Sequence, residues 1–242
     1  MQQEIYVLIA AAGTGSRMGM EINKQFLEIS GIPAVIRSIR SFDSMSQISG
    51  IRVIAAQSDL STINQLISSY QFKHNIDITT GGQTRQHSVL NGLRDLAQFN
   101  KPSQAAVILV HDGARCLVTQ DVIKHCIDGI TQNNCACAAA TPVKDTIKQV
   151  ALDADPTNPL VEKTLDRNRL WALQTPQGGF FQDLLTAYET VTEQGKLVTD
   201  DLAVMEAAGH KTMLTTGDYR NIKITTPEDI IVAEAYLSSE AN

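Results

Sequence analysis

The chain's 242 residues are 43% hydrophobic and 19% charged, the make-up of a globular protein with one generous domain. A formal net charge of −6, with 26 acidic residues against 20 lysines and arginines and no basic run, excludes a general nucleic-acid binder; any polyanion site must be a local cluster of cations. No apolar run approaches the ~20 residues that cross a bilayer, and no basic segment and cleavage site open the chain, so a cytoplasmic protein without a membrane partner is expected.

In chain order, short apolar runs alternate with helical patterns. Strands are expected at residues 5–10, 51–56, 76–79, 105–110 and 136–141, and helices at 34–42, 60–69, 86–98 and 121–130. The strands are near-continuous Val, Ile, Leu and Ala, the signature of burial on both faces, and their alternation with helices implies right-handed crossovers. Residues 142–177 break the pattern. They hold four of the seven prolines and short alternations such as Thr146-Ile147-Lys148-Gln149-Val150, which read as a hairpin excursion outside the core. Helices are expected again at 181–194 and 200–208, with strand-like stretches at 212–215 and 221–224. A last helix is capped by Thr226 and opened by Pro227. The expected fold is α/β: a single Rossmann-like domain over residues 1–242, whose mostly parallel twisted sheet has helices on both faces and a protruding β-hairpin arm at about 142–168. The four cysteines, Cys116, Cys126, Cys135 and Cys137, lack metal or redox spacing and read as small buried thiols.

The first strand runs into "AAGTGSRMG". A dinucleotide fingerprint needs a small residue where Met18 stands, and an acid closing the second strand, which instead ends Ala56-Gln57-Ser58. The Gly-Lys-Ser/Thr of a Walker loop is missing too. What the loop does offer is glycine-freed backbone amides with two cations, Arg17 and Lys24. Fixed cations suit a triphosphate that is attacked, because negative charge moves towards the leaving oxygens in the transition state.

The fourth strand ends in "VHDGAR", at the sheet edge where open α/β folds bind ligands. Asp112 there is the candidate Mg²⁺ residue, since such ions are held by one or two carboxylates together with substrate phosphates. Gly113 lets the backbone approach a ligand, and His111 is expected to orient the turn. A third loop, "TTGGQTRQHS", exposes amides at Gly81-Gly82 before a helix that brings Ser88 near.

Together with "NKQF", "GGQTRQHSVLNGL", "PVKDTIK", "TLDRNRLWALQTPQ", "VTDDLAVME" and "NIKITTPEDI", these segments resemble, in order and spacing, the 2-C-methyl-D-erythritol 4-phosphate cytidylyltransferase family of the non-mevalonate isoprenoid route. The resemblance implies that CTP and an alditol phosphate give a CDP-alcohol and pyrophosphate with Mg²⁺. It implies that Arg17, Lys24 and Lys223 act on the phosphates and that Ala11, Ala12, Gly13, Gly82 and Ser88 hold the nucleotide. By the same resemblance Asp112 serves the metal, and Arg115 supports its loop. Thr146 and Arg167, with Thr199 nearby, are implied to hold the acceptor phosphate, the first two across a homodimer joined by the arm. The chain departs from the family at Gln83, often Asp or Lys, and in "HDGARC", more usually "HDAARP". Rival readings are a cytidylyltransferase for another alditol phosphate, such as ribitol 5-phosphate, and a non-catalytic nucleotide-binding domain. Keeping Arg17, Lys24, Asp112 and Lys223 together favours catalysis.

Overall fold

The computed structural model describes residues 3–13, 24–152 and 155–240, apart from the side chains of Lys24 and Glu240. β1 (Ile5–Ala11) is an interior strand, paired on both sides. After it come a small hairpin, β2 (Glu28–Ile29) and β3 (Ile32–Pro33), and then α1 (Ala34–Asp43), β4 (Gly50–Ala55), α2 (Leu60–Ser68), β5 (Ile76–Thr80) and α3 (Arg85–Asp95). The chain then crosses to the other side of β1 and forms β6 (Val107–Asp112), α4 (Gln120–Asn133) and β7 (Ala136–Pro142). From the end of β7 it leaves the sheet as the antiparallel pair β8 (Lys148–Val150) and β9 (Val161–Thr164). It returns as β10 (Trp171–Phe180) and closes with α5 (Phe181–Glu193), α6 (Asp201–Ala207), β11 (Thr212–Thr216) and α7 (Pro227–Glu240).

Seven strands make one sheet in the order β11-β7-β10-β6-β1-β4-β5, parallel except for β10, which runs against both neighbours. Strand alternation sorts the core into two layers. Ile5, Val7 and Ile9 point at α1, α2 and α4, where Val35, Ile39, Ile63 and Ile123 cover them; Tyr6 and Leu8 point the other way, at Val89 and Leu93 of α3 and Tyr188 of α5. A smaller apolar cluster, Ile29, Ala34, Ala114, Cys116, Ile224 and Ala233, seats α7 on the small hairpin and on the turn after β6.

Three expectations need correction. The fourth strand begins two residues later and extends through His111 and Asp112, because both pair with β1, His111 opposite Ile9 and Asp112 opposite Ala10. Residues 221–224 form no strand; that segment is held by side chains instead of a ladder. The excursion also ends earlier than residue 177, since Trp171–Phe180 is a central strand whose Gln174, Thr175 and Gln177 are buried. Polar residues hid that strand. Each is buried because it makes hydrogen bonds at the site described next, which offset its desolvation.

Candidate active site

The carboxyl ends of β1, β4, β5 and β6 share one sheet edge, and the order reverses at β1, where a crevice must open. A pocket of about 250 Å³ lies there, lined by Ala11, Ala12 and Gly13 after β1, by Gly82 to Arg85 and Ser88 around the start of α3, and by Asp112, Ala114 and Lys223. Gln25 also lines it, and its Nε2 donates to Ala11 O at 2.9 Å. Gly13 and Gln25, which flank the sequence segment that bears Arg17 and Lys24, both line this pocket. Arg17 and the Lys24 side chain themselves lie outside the described residues.

The paired glycines are required sterically. A Cβ on Gly81 would stand 2.6 Å from Ala12 Cβ, and one on Gly82 would stand 2.5 Å from His87 Cβ. Gly82 N donates to Ser88 Oγ at 3.0 Å, while Ser88 Oγ donates to Thr84 O at 2.8 Å, so this hydroxyl fastens the loop to the helix. At Gly113 a Cβ would meet nothing closer than 3.4 Å, so the alanine more usual in the family would also fit.

Asp112 is the charge centre. Lys223 Nζ lies 2.6 Å from Oδ2 and Arg85 Nε 3.4 Å from Oδ1. Burial alone would raise its pKa, but Arg85 and Lys223 overcome that and hold it well below the usual carboxylate range. Arg85 is clamped from behind by Asp201, which is 1% exposed: NH2 to Oδ2 spans 2.6 Å and NH1 to Oδ1 2.9 Å. Burial opposes the guanidinium charge, yet Asp201 and Asp112 raise its pKa further. Tyr188 donates its hydroxyl to Asp201, and Gln177 Oε1 accepts from Asp201 N and Leu202 N, so a buried polar network fixes the cation.

A second chain of hydrogen bonds sets Asp112's backbone. Asp112 N donates to Thr175 Oγ1 at 3.1 Å, Thr175 donates on to His111 Nδ1 at 3.0 Å, and His111 Nε2 donates to Arg115 O at 3.1 Å. The chain runs in one direction only, which assigns the neutral tautomer. Burial takes His111 down to about 4, so it orients the turn as expected and carries no charge. Arg115 reaches across to Asn221 O at 2.7 Å and Leu173 O at 3.3 Å. Asn221 Nδ2 in turn donates to Thr175 O at 2.8 Å, and this pinned segment delivers Lys223.

A second pocket of about 210 Å³ adjoins the first. Both share Arg85, Asp112 and Lys223, and the second adds Arg115, Gln174, Thr199 and Asp200. Of the sequence candidates, the structure brings together Ala11, Ala12, Gly13, Gly82, Ser88, Asp112, Arg115, Thr199 and Lys223. Thr146 and Arg167 line neither pocket; Arg167 NH1 donates to Lys144 O at 2.9 Å on the exposed arm. Sequence reasoning missed Arg85, Asp201, Thr175, Gln177 and Asn221. The only hint was that all five stand inside quoted segments: Arg85 in "GGQTRQHSVLNGL", Thr175 and Gln177 in "TLDRNRLWALQTPQ", Asp201 in "VTDDLAVME" and Asn221 in "NIKITTPEDI".

Chemically, the arrangement suits anions in two chambers, with fixed cations at the partition and, among the described residues, no activated nucleophile. Among the described residues no group of three or more His, Cys, Asp or Glu could cage a metal. Asp112 is an ionised carboxylate at the partition and the carboxylate that lines the first pocket, a donor set that fits a hard cation bound chiefly through ligand phosphates.

Residues 5–239 match the family model described as 2-C-methyl-D-erythritol 4-phosphate cytidylyltransferase. A protein of that name from Synechococcus elongatus is 40% identical over 233 residues, covering 96% of both chains. One from Geobacillus thermodenitrificans is 38% identical over 232 residues, again covering 96% of each. Among solved structures, 4-diphosphocytidyl-2C-methyl-D-erythritol synthase from Anaerococcus prevotii superposes with a TM-score of 0.81 at 29% identity, over 98% of this chain and 100% of that one.

Proposed function

We infer that this chain, which belongs to the 2-C-methyl-D-erythritol 4-phosphate cytidylyltransferase family, transfers CMP from CTP to 2-C-methyl-D-erythritol 4-phosphate and releases pyrophosphate. The observation that carries the reading is the Lys223–Asp112–Arg85 partition shared by two adjoining pockets. It suits two phosphate-bearing substrates that must meet.

In this reading the first pocket holds the nucleotide. The amides of residues 11–13 and Gly82 face phosphate and base, Ser88 keeps Gly82 in place, and Arg17 and Lys24 cover the triphosphate. The second pocket takes the acceptor phosphate beside Thr199. An acceptor phosphate oxygen is already anionic, so it needs no general base. It attacks the α-phosphorus in line as the bond to the pyrophosphate oxygen breaks. Catalysis is then positioning and charge neutralisation, with Lys223 at the partition acting on the charge that shifts to the leaving oxygens. Mg²⁺, when bound, would neutralise phosphate oxygens beside Asp112. Asp112 can serve because Arg85 and Lys223 keep it ionised.

Thr146 and Arg167 complete a partner's acceptor pocket in a homodimer. Their position outside the chain's own pockets supports this, as do the exposed apolar side chains of Leu152, Leu160 and Trp171 on and beside the arm. No helix of the described residues is long and apolar enough to cross a membrane, and the phosphorylated substrates suit the cytoplasmic setting expected from sequence.

The test is pyrophosphate release from CTP, Mg²⁺ and methylerythritol phosphate, with ribitol 5-phosphate and no-acceptor controls. Release with the first acceptor alone is expected. Release only with ribitol 5-phosphate overturns the acceptor assignment, and CTP binding without release overturns catalysis.

A further inference from the structure

A cleft of about 370 Å³ lies outside the two site pockets, between α1, residues 116–120 and the end of α7. Its wall contains three guanidinium groups, Arg37, Arg40 and Arg220, and no carboxylate. Arg220 carries its own counter-ion, Asp218, at 2.8 Å. Arg37 spends Nε on Ile29 O at 2.8 Å, and Arg40 lies 4.9 Å from the centre of the Tyr70 ring; among the described residues neither has a carboxylate in ion-pair contact. Arg37 and Arg40 stand three apart on one helix, so their charges oppose each other. The first turn of the fourteen-residue α4, at Thr119 and Gln120, adds the positive end of a helix dipole to the same wall. The rest combines an apolar side of Ile32, Leu117, Val118 and Leu237 with Ser41, Ser44 and Tyr236. A cation-lined cavity with an apolar side matches a ligand that is anionic at one end only, and guanidinium forks are suited to phosphate oxygens.

Two segments connect this cleft to the catalytic partition. Asp112 and Ala114 line the nucleotide pocket, and Cys116 and Leu117 line the cleft. Arg220 lines the cleft, and Lys223 lines both site pockets. The segments are tied together by Ile224 N donating to Ala114 O at 2.9 Å and by Arg115 donating to Asn221 O at 2.7 Å. These bonds give movement of Arg220 or of residues 116–118 a direct route to Asp112 and Lys223.

We propose that the cleft between α1, residues 116–120 and α7 binds a small phosphate monoester carrying an apolar group, and that its occupancy shifts Asp112 and Lys223 through these two segments. The probe is phenyl phosphate, titrated calorimetrically into the full chain, with inorganic phosphate alongside. Saturable one-to-one binding is expected, at least ~10-fold tighter than inorganic phosphate, and weakened by ~10-fold or more in Arg40→Glu. Arg40 is solvent-exposed, so that variant keeps its circular dichroism; Arg37→Ala gives a second reading of the same wall. Lys223→Ala should change affinity by less than about twofold. Amide NMR shifts on titration should appear at residues 116–120 and extend to Asp112 and Lys223. No binding, or binding lost in Lys223→Ala but kept in Arg40→Glu, would overturn the site. Shifts confined to the cleft would overturn the coupling. None of these readouts uses turnover, so they stand apart from any failure of the cytidylyltransferase reading.

Discussion

At the level of single residues, Asp112 and Lys223 form a contact of 2.6 Å that is only partly shielded from solvent. A pair of this kind is worth little to stability, and its value lies in presenting a cation where charge develops. Lys223→Ala should therefore lower kcat by ~10²–10³-fold, the size of loss found when one preorganised charge-stabilising group is removed from an active site. Its melting temperature should stay close to that of the parent. Steady-state pyrophosphate release and a thermal scan decide this together, and near-normal turnover would remove Lys223 from the chemistry. Lys223 could be named from sequence because the family resemblance of "NIKITTPEDI" implies its role. Arg85 could not, although it touches the same carboxylate. Its role depends on Asp201, 116 residues further along, and no local pattern records that meeting. Asp201 looked like part of a helix start. Only the fold shows that Asp200 does the capping, accepting from Ala203 N, which leaves Asp201 for the guanidinium.

Elements show the same division between what a short window records and what it does not. The apolar strands and amphipathic helices were legible because their periodicity is local. β10 was not, since its site-facing half reads Leu-Gln-Thr-Pro-Gln, polar residues that suggest a loop. They lie within the sheet because each is bonded: Gln174 to the Asp218–Asn221 turn, Thr175 to Asp112 and His111, Gln177 to Asp201. The segment after β11 is the complement of this strand. It looked like a strand and is none, because Asn221, fully buried, holds it by side-chain bonds to β10. Asn221→Ala would take from Thr175 O this buried donor and leave Gln174 Oε1 with Asp218 N alone, a penalty of about 1–3 kcal/mol. It would also free the segment that aims Lys223. The expected result is a lower denaturation midpoint with kcat reduced more than KM for CTP is raised. Loss of stability with unchanged kcat would show that the segment does not position Lys223.

For the molecule as a whole, the buried imidazole at the centre of the sheet links stability to pH. His111 has a pKa of about 4 when folded, against an ordinary value of 6.5, because burial disfavours its charge. Its one-way hydrogen-bond chain also leaves Nδ1 as an acceptor. The unfolded chain therefore binds the proton first as pH falls, so stability is complete above about 6.5 and declines through the window down to about 4, by on the order of 3 kcal/mol. Carboxylates held low, Asp112 among them, withdraw their stabilisation only below the ordinary carboxylate range. Urea midpoints measured across both windows should separate the two. His111→Gln should flatten the upper window alone, and a slope unchanged in that variant would assign it elsewhere.

Assembly offers the sharper test, because the sequence reading and the geometry meet there. In the proposed homodimer each acceptor pocket takes Lys223 from one chain and Arg167 from the other. A dimer of Lys223→Ala chains has two dead sites, as does a dimer of Arg167→Ala chains at low acceptor concentration. A mixed dimer differs: the chain that keeps Lys223 faces a partner that keeps Arg167, and one whole site is rebuilt. Co-expressing the two variants under separate tags should therefore restore about a quarter of the wild-type rate, since half the dimers are mixed and each has one intact site. Dimers selected for both tags should show about half the wild-type rate. If Arg167 serves its own chain, every site in the mixture lacks one of the two cations and no activity returns. The arm would then be a feature of a single subunit, and its exposed Leu152 and Leu160 would need another explanation.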